Sequence, residues 1–286
     1  MSPTRPPVII FAYNRLDHLS RTLDSLEENI GALETDVIIF SDAPAQEAHR
    51  SDVEAVRQYL RNQSFGFKTL RTVERKINWG LANSIINGIT GTLQDNEQVI
   101  ILEDDIITSR YFLDFMADAL STYAYEPRVM HVSGYNFPIS SVNLPPTVLG
   151  PISSCWGWGT WRRAWQHFEK NTFKLIQRFT PADINRFNVD GNYDFWSQVI
   201  QNHYGQINTW AIFWYASIFL ADGLSIFPNR SLTQKIGHDG TGVHCSPTKI
   251  FESAMASTPI PVNQQEIATN LEFMLRIKDF LSQAKG

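Results

Sequence analysis

The sequence is poor in cysteine, carries no excess of positive charge and contains no apolar run of membrane-spanning length. Its two cysteines, Cys155 and Cys245, are interpreted as free thiols in a reducing compartment. Asp and Glu outnumber Lys and Arg by 29 to 24, and the net charge of −5 argues against a nucleic-acid partner. The most apolar segment, residues 210–221, is well short of the roughly 20 residues that cross a bilayer, and it predicts a buried helix or strand.

The amino terminus also lacks a targeting signal, because MSPTRPPVII contains no signal-peptide-like apolar stretch before the first predicted strand. We therefore expect a cytoplasmic protein without a transmembrane segment, with peripheral membrane contact left open as the lesser alternative. The apolar content of 43% and the charged fraction of 19% predict an ordered chain. Its 286 residues suit one catalytic domain, residues 1–286, with two lobes.

Strand and helix signals alternate through the first half of the chain. Short β-branched and apolar runs predict buried strands, and helix-like stretches separate them. This alternation is typical of an α/β fold with a mostly parallel central sheet. The predicted strands of this half are residues 8–12, 36–40, 69–73, 99–102 and 129–133.

The chain changes character in its middle. Residues 134–151 are proline-rich and lack periodicity, so we expect a long loop that divides two halves. Near the end of the chain, Asn263 and Glu266 stand at capping-box spacing and predict the start of an amphipathic helix. The three predicted parts are residues 1–133, residues 134–250 and a C-terminal helical segment, residues 251–286.

Three consecutive acids, Glu103, Asp104 and Asp105, follow a strongly apolar strand. Ligands bind at the carboxyl ends of parallel strands, because loops and helix N-termini converge there. Repulsion raises the pKa of adjacent carboxylates unless a cation neutralises them, so we expect positive charge at this edge. Oxygen ligands without cysteine favour Mg²⁺ or Mn²⁺, held jointly by carboxylates and substrate phosphates. The alternative is a solvated acidic loop that caps the next helix.

Four features in this order resemble the nucleotide-binding half of family-2-like glycosyltransferases of the GT-A fold: VIIFAYNR, Asp42 after the second strand, NWGLANSIINGI and VIILEDDI. The EDD tripeptide is similar to the Asp-x-Asp motif of N-acetylglucosaminyltransferase I. The resemblance implies a mostly parallel sheet flanked by helices, with a smaller acceptor-binding lobe. It also implies that residues 1–133 bind a nucleotide-sugar and residues 134–250 an acceptor.

The resemblance also assigns roles to residues of the matching motifs. Asp105 is implied to bind the metal ion, Asp104 to lie near the ribose or donor sugar, and Glu103 to support them. Asp42 is implied to contact the edge of the base. Turn chemistry is the competing interpretation for Asn14 and Asp42. The other residues implied to border the nucleotide or donor are Ala12, Tyr13, Asn14, Arg15, Asn78, Gly80 and Leu81.

The segment SSCWGWGTWRRAW in the second half concentrates tryptophan. Trp158, Trp161 and Trp165 fall at helical spacing, and core contacts are expected of the last two. Trp156 precedes them in a loop where an indole face can stack on a sugar ring and Gly157 can leave room for it. The pattern resembles the acceptor-side wall of bacterial GT-A enzymes that build surface polysaccharides, so Trp156 and Gly157 are predicted to bind the acceptor.

An inverting sugar transfer needs a base that removes the proton of the attacking hydroxyl, and GNYDFWSQ supplies a candidate. Asp194 stands among three aromatic residues, where partial desolvation would raise its basicity, and it falls where related enzymes carry their catalytic acid. Asp190 is the second candidate for the base and a predicted acceptor-binding residue. The competing interpretation is that these acids cap a helix.

The segment KIGHDGTGVHC combines two histidines, an aspartate and three glycines. Such a loop can fold over a bound diphosphate and bring a histidine to the metal or phosphate. His244 resembles the late histidine that many GT-A enzymes use in this way, and His238 is the alternative. Two histidines without a cysteine pair at ligand spacing do not indicate a zinc site.

We therefore expect a metal-dependent glycosyltransferase that moves a hexosyl or N-acetylhexosaminyl group from a nucleotide-sugar donor to a glycan or glycolipid hydroxyl, with inversion. A UDP-sugar is the favoured donor. A sugar-nucleotide pyrophosphorylase is the first alternative, but it would carry a GxGTR loop where this chain has FAYNRLD. A catalytically silent sugar-binding module is the second, and the EDD, Asp194 and the histidine loop argue against it.

Overall fold

The computed structural model describes residues 5–240 and 248–284, which contain ten strands and ten α-helices. The strands are β1 (Val8–Ala12), β2 (Asp36–Ser41), β3 (Thr69–Glu74), β4 (Gln98–Glu103), β5 (Ile106–Thr108), β6 (Val129–Ser133), β7 (Thr147–Gly150), β8 (Trp158–Trp161), β9 (Leu224–Pro228) and β10 (Thr233–Lys235). The helices are α1 (Leu16–Glu27), α2 (Arg50–Asn62), α3 (Gly80–Asp95), α4 (Phe112–Thr122), α5 (Arg162–Trp165), α6 (Thr172–Arg178), α7 (Pro181–Phe187), α8 (Trp196–His203), α9 (Ala211–Leu220) and α10 (Leu271–Gln283).

Eight strands form one sheet in the order β3-β2-β1-β4-β8-β6-β9-β7. The first four strands in this order, β3, β2, β1 and β4, pair in parallel with their neighbours, and so do β6 and β9. β8 runs antiparallel between β4 and β6, and β7 runs antiparallel at the edge beside β9. All residues of β1 and β6 are buried, as expected where a sheet is covered on both faces. The predicted α/β fold with a mostly parallel central sheet is confirmed.

The two antiparallel strands of this sheet, β7 and β8, were not predicted from the sequence. The long loop predicted over residues 134–151 is wrong at its end, where Thr147–Gly150 form the buried edge strand β7. The helical spacing considered for the tryptophans is wrong as well, because Trp158–Trp161 form β8. A Cβ at Gly159 would lie 2.9 Å from the terminal methyl of Met116 and 3.1 Å from Val99 O, so α4 packs closely on β8 at this glycine. Every residue of β7 and β8 is buried, so neither strand shows the alternation of apolar and polar residues that marks a half-buried strand.

The C-terminal helix begins later than predicted. Asn263 and Glu266 do not open it, since α10 starts at Leu271 and the side chain of Asn270 accepts a hydrogen bond from Phe273 N–H at 2.9 Å. The buried face of α10 consists of Phe273, Met274, Ile277 and Leu281.

The buried apolar residues form two clusters. The larger cluster surrounds β1, β4 and β6 with helices α1, α3 and α4, and the smaller one joins α8 and α9 with β7 and α10. The apolar segment predicted as a buried helix or strand is helix α9, which contributes Trp214 to the larger cluster and Phe213 to the smaller. No helix within the described ranges is both long and apolar enough to cross a membrane.

Candidate active site

The acidic triplet lies at the carboxyl end of β4, near the middle of the sheet. Glu103 is the last residue of β4 and pairs with Phe11 of β1. Asp104 and Asp105 form the turn into β5 and are only 4% and 2% exposed. Because parallel strands end at the same edge, the loop after β1 lies beside the two buried carboxyl groups.

Two basic side chains neutralise these acids. The Arg15 guanidinium, just before α1, is ion-paired with Asp104 and lies with Nη2 3.1 Å from Oδ2 of Asp105. The Lys235 ammonium, at the end of β10, lies 3.4 Å from the same oxygen. The chain itself thus supplies the positive charge expected at this edge. Arg15 was predicted to lie near the base and ribose. Lys235 was not predicted as a site residue, because it is far from the triplet in the sequence and no motif links the two.

Burial changes the proton affinity of Glu103 and Asp104. Removal from water raises the pKa of Glu103 to about 7; the nearby Lys235 ammonium opposes this rise, whereas the neighbouring aspartates add to it. Burial also raises the pKa of Asp104, although Arg15 acts in the opposite direction. A divalent cation at this position would favour the ionised carboxylates.

The surroundings of Asp105 fit such a cation. Its buried Oδ1 has no hydrogen-bond partner among the described residues. Beside Oδ2, a Cβ at Gly237 would lie only 2.0 Å away, so backbone without a side chain covers the carboxylate there. Hard divalent cations bind such oxygens together with substrate phosphates. Within residues 5–240 and 248–284, no three His, Cys, Asp or Glu side chains are grouped to hold a metal.

Residues 235–239, which we call the strap, lie against the acidic triplet. Ile236 N–H donates to the backbone oxygen of Asp105 at 2.9 Å, and Nε2 of His18 lies 3.1 Å from Oδ2 of Asp239. Burial and the nearby Lys235 lower the pKa of His238, so its imidazole is neutral, the form that binds metals. His244, the predicted metal ligand, lies outside the described residues.

Asp42 holds the start of α3. Its buried carboxylate accepts hydrogen bonds from the backbone N–H of Trp79, at 3.0 and 3.1 Å, and of Gly80, at 2.9 Å. Gly80 has a φ of +71°, a backbone conformation that favours glycine. The side-chain amide of Asn78 donates to Ala43 O at 2.6 Å. Both oxygens of Asp42, expected at the edge of the base, are thus engaged within the protein.

The other residues expected around the nucleotide lie in the loop after β1 and at the start of α3. The Tyr13 hydroxyl lies 2.7 Å from Nδ1 of His49 and accepts a hydrogen bond from Ala45 N–H at 2.8 Å. The backbone N–H of Tyr13 donates to the Asp104 carboxylate. Ala12 is buried, Asn14 is half-buried and Leu81 is exposed.

Arg75 and Trp79 form a stacked pair that was not predicted from the sequence. The guanidinium carbon of Arg75 lies 3.8 Å from the ring centre of Trp79, and Arg75 is buried. Trp79 itself remains 37% exposed, so part of its ring is open to a ligand. An arginine directly after β3, shortly before the Asn-Trp-Gly sequence, is the signal that could have identified the pair.

Trp156 lies beside the strap. Its ring contacts those of His238 and Tyr135, with centroids 5.3 and 4.7 Å apart, and the Lys235 ammonium lies 5.9 Å from its centre. Gly157, expected to leave room for a sugar, has a φ of +79°, and a Cβ there would lie 2.7 Å from Thr233. The missing side chain of Gly157 therefore accommodates the protein's own packing.

Asp194 and Asp190 lie at and before the start of α8. Oδ1 of Asp194 accepts hydrogen bonds from Ser197 N–H at 3.1 Å and from the Asn188 amide at 3.3 Å. Asp194 is exposed, so the expected partial desolvation is wrong, and its aromatic neighbours pack on the smaller hydrophobic cluster instead. Asp190 pairs with Lys278 at 2.6 Å. Among the described residues, no hydrogen bond or ion pair joins either acid to the triplet.

Comparison with known proteins gives one family. The family model described as "Glycosyl transferase family 2" matches residues 8–184, more than half of the chain. No curated protein matches this chain. The family assignment therefore depends on this match, which covers β1 to β8 and includes the acidic triplet.

Several solved structures are similar at low identity. Mannosyltransferase PcManGT from Pyrobaculum calidifontis, solved with GDP-Man and Mn²⁺, is 16% identical over 76% of this chain and 68% of its own, with a TM-score of 0.41. S. aureus TarS 1-349 is 13% identical over 80% and 59%, with a TM-score of 0.44. GalNAc-T7, solved with UDP, GalNAc and Mn²⁺, is 10% identical over 79% and 42%, with a TM-score of 0.49. This chain thus spans about half of the length of the last two.

Proposed function

This chain belongs to glycosyl transferase family 2, and we propose that it transfers a sugar from a nucleotide-diphosphate donor, with UDP-sugars favoured, to a hydroxyl of a glycan or glycolipid. The observation that carries the proposal is the buried Oδ1 of Asp105 at the carboxyl end of β4, which has no hydrogen-bond partner in the part of the chain that the structure describes. An anionic site flanked by Arg15 and Lys235 suits a cation and a diphosphate together. Synthesis of a surface polysaccharide is the proposed setting.

The donor is proposed to lie across the ends of β1, β2 and β4. Asp105 would hold Mn²⁺ or Mg²⁺, with His244 or His238 as a further ligand, and the ion would neutralise charge on the leaving diphosphate. The loop after β1, held by Tyr13 and Arg15, and the start of α3, held by Asp42, would orient the nucleotide. Asp104 and Glu103 would border the ribose or donor sugar.

We propose an inverting displacement. The acceptor oxygen forms a bond to the anomeric carbon while the bond from that carbon to the diphosphate oxygen breaks, and the nucleoside diphosphate leaves with the electron pair. The acceptor's proton passes to the carboxylate of Asp194 or, failing that, of Asp190. Asp194 suits this role because hydrogen bonds hold one of its oxygens, Oδ1. Trp156, half-buried beside the strap, is proposed to stack on the acceptor sugar.

A thermal-shift screen of nucleotide-sugars with and without Mn²⁺, followed by detection of sugar transfer, tests the proposal. A ligand at a hundred times its dissociation constant adds about 2.7 kcal/mol of stability, which a melting curve resolves. Asp105→Asn is expected to abolish the Mn²⁺-dependent shift, because a neutral amide is a poor ligand for the ion. Asp36→Asn is the matched control, because Asp36 is a half-buried aspartate that pairs with Lys68 at the opposite end of β2 from Asp42.

The result also separates the competing functions. Sugar transfer to an acceptor is expected of a glycosyltransferase, whereas formation of a nucleotide-sugar from a sugar phosphate would indicate a pyrophosphorylase. Binding without turnover would indicate a silent sugar-binding module. Unchanged Mn²⁺-dependent affinity in Asp105→Asn would remove Asp105 from the metal site.

A further inference from the structure

Two cations contact a single carboxylate oxygen at the candidate active site. Nη2 of Arg15 and Nζ of Lys235 lie 3.1 and 3.4 Å from Oδ2 of Asp105, and Arg15 is also paired with Asp104. Two positive charges thus face two buried aspartates, with Glu103 beside them, and the side chain of Lys235 is only 10% exposed. Uncompensated charge is costly in such a buried place, so Arg15 and Lys235 offset most of the negative charge of the triplet.

Charge balance then restricts what can bind. A divalent cation added alone would bring two further positive charges next to Arg15 and Lys235. A diphosphate added alone would place two further negative charges beside Asp104 and Asp105. Added together, the two ligands leave the net charge unchanged. Because Coulomb energies are large where water is excluded, the joint binding is strongly favoured over either binding alone.

We infer that Arg15 and Lys235 exchange partners during binding: they neutralise Asp104 and Asp105 in the empty site and bind the diphosphate of the donor once a divalent cation occupies Asp105. This inference rests on the proposed function and adds a diphosphate-binding role for Lys235. It makes metal and nucleoside diphosphate bind as a coupled pair.

The positions of both side chains suit this exchange. Arg15 reaches the acids from the loop after β1, which carries the proposed nucleotide-binding residues, and its side chain is 21% exposed toward solvent. Lys235 begins the strap, and its ammonium lies between Asp105 and the face of Trp156. Gly237, two residues later, presents no side chain to Asp105, so no side chain at that position covers the carboxylate oxygen that Lys235 contacts.

The test is calorimetric titration of the full chain with Mn²⁺ alone, UDP alone and UDP in the presence of Mn²⁺, with GDP as the second nucleotide. In the wild type, Mn²⁺ should strengthen nucleotide binding at least about tenfold, within the usual range of coupling between two ligands. Lys235→Met and Arg15→Met should each bind Mn²⁺ alone more tightly, because a competing cation is gone. Each should bind nucleotide with Mn²⁺ at least about tenfold more weakly, because a charge-assisted contact is lost.

Lys68→Met is the matched control, since it removes an exposed lysine that pairs with Asp36 at 2.7 Å at the far edge of the sheet. It should leave all three titrations unchanged. A purely structural role of Arg15 or Lys235 predicts weaker binding of Mn²⁺ alone, and this result would overturn the inference. So would unchanged nucleotide affinity in both variants. If the wild type binds neither UDP nor GDP with Mn²⁺, the proposed function itself fails.

Discussion

The carboxylate of Asp42 accepts a hydrogen bond from the backbone N–H of Gly80 at 2.9 Å, so the end of β2 directly holds the first turn of α3. The N–H of Trp79 donates to the same carboxylate. An anion at a helix N-terminus satisfies free N–H groups and interacts favourably with the helix dipole. The loop expected to approach the donor is therefore positioned by Asp42.

Asp42→Ala is expected to lower the free energy of unfolding by about 1–2 kcal/mol, because the amide groups of Trp79 and Gly80 lose their acceptor. Asp42→Asn, which keeps one acceptor oxygen, should cost less. Urea denaturation measures both. Asp95→Ala, an exposed acid in the last turn of the same helix, is the control and should be neutral or slightly stabilising. Loss of nucleotide binding at unchanged stability would favour the base contact over the capping role.

Gly237→Ala should weaken donor binding without unfolding the protein. The new Cβ would meet Oδ2 of Asp105 at 2.0 Å and Nη1 of Arg15 at 3.0 Å, so the carboxylate or the strap must shift. We expect Mn²⁺-dependent nucleotide affinity to fall at least about tenfold, or roughly 1.4 kcal/mol. Titration calorimetry measures it.

The control for this substitution is Gly91→Ala. Gly91 lies within α3 with open space where its Cβ would stand. It should gain about 0.5–1 kcal/mol of stability, because alanine favours a helix interior, and bind nucleotide normally. Equal affinities in the two variants would show that the strap does not border the donor site.

Asp194→Asn tests the proposed base. Asparagine caps helices well, so the contact with Ser197 N–H and the melting temperature should be kept. Turnover should fall at least about a hundredfold, since general-base assistance is typically worth 10² to 10⁴ in rate. Asp190→Asn is the comparison: it removes an exposed ion pair with Lys278, and asparagine tolerates the φ of +53° found there. If only Asp190→Asn loses activity, the base is Asp190, and if neither does, the inverting mechanism loses its support.

His131 makes stability depend on pH. The imidazole is fully buried, Nδ1 lies 3.1 Å from the indole Nε1 of Trp214, and Nε2 lies 2.9 Å from Ser154 O. Burial lowers the pKa of His131 from 6.5 to about 3. Below pH 6.5 the unfolded chain therefore binds a proton at His131 that the folded chain does not bind. The free energy of unfolding decreases progressively as the pH falls from 6.5 towards 3.

Between pH 7.5 and pH 5 this difference corresponds to a loss of about 2 kcal/mol in the free energy of unfolding. His131→Gln cannot titrate and should lose less over the same interval, whatever its absolute stability. Urea denaturation of both proteins at the two pH values gives the comparison. Equal losses would mean that His131 accepts a proton in the folded state.

Local patterns predicted the features that depend on neighbouring residues. The strands of the first half are short runs of buried β-branched and aromatic residues, and their alternation with helices indicated a parallel sheet. The acidic triplet follows the last of these strands, so its place at the carboxyl edge was also predictable. The same patterns failed for β7 and β8, because both strands are buried along their whole length and do not alternate, and because each depends on the edges available for pairing.

Local sequence patterns therefore predict the α/β class, the strands β1 to β4 and β6, and the acids at the end of β4. The contacts of Lys235 and Gly237 with Asp105, the capping of α3 by Asp42 and the exposure of Asp194 follow from the folded arrangement alone. The reason is physical. Strand and helix preferences come from residues close together in the chain, whereas charge pairing and burial depend on segments that meet only when the whole core packs.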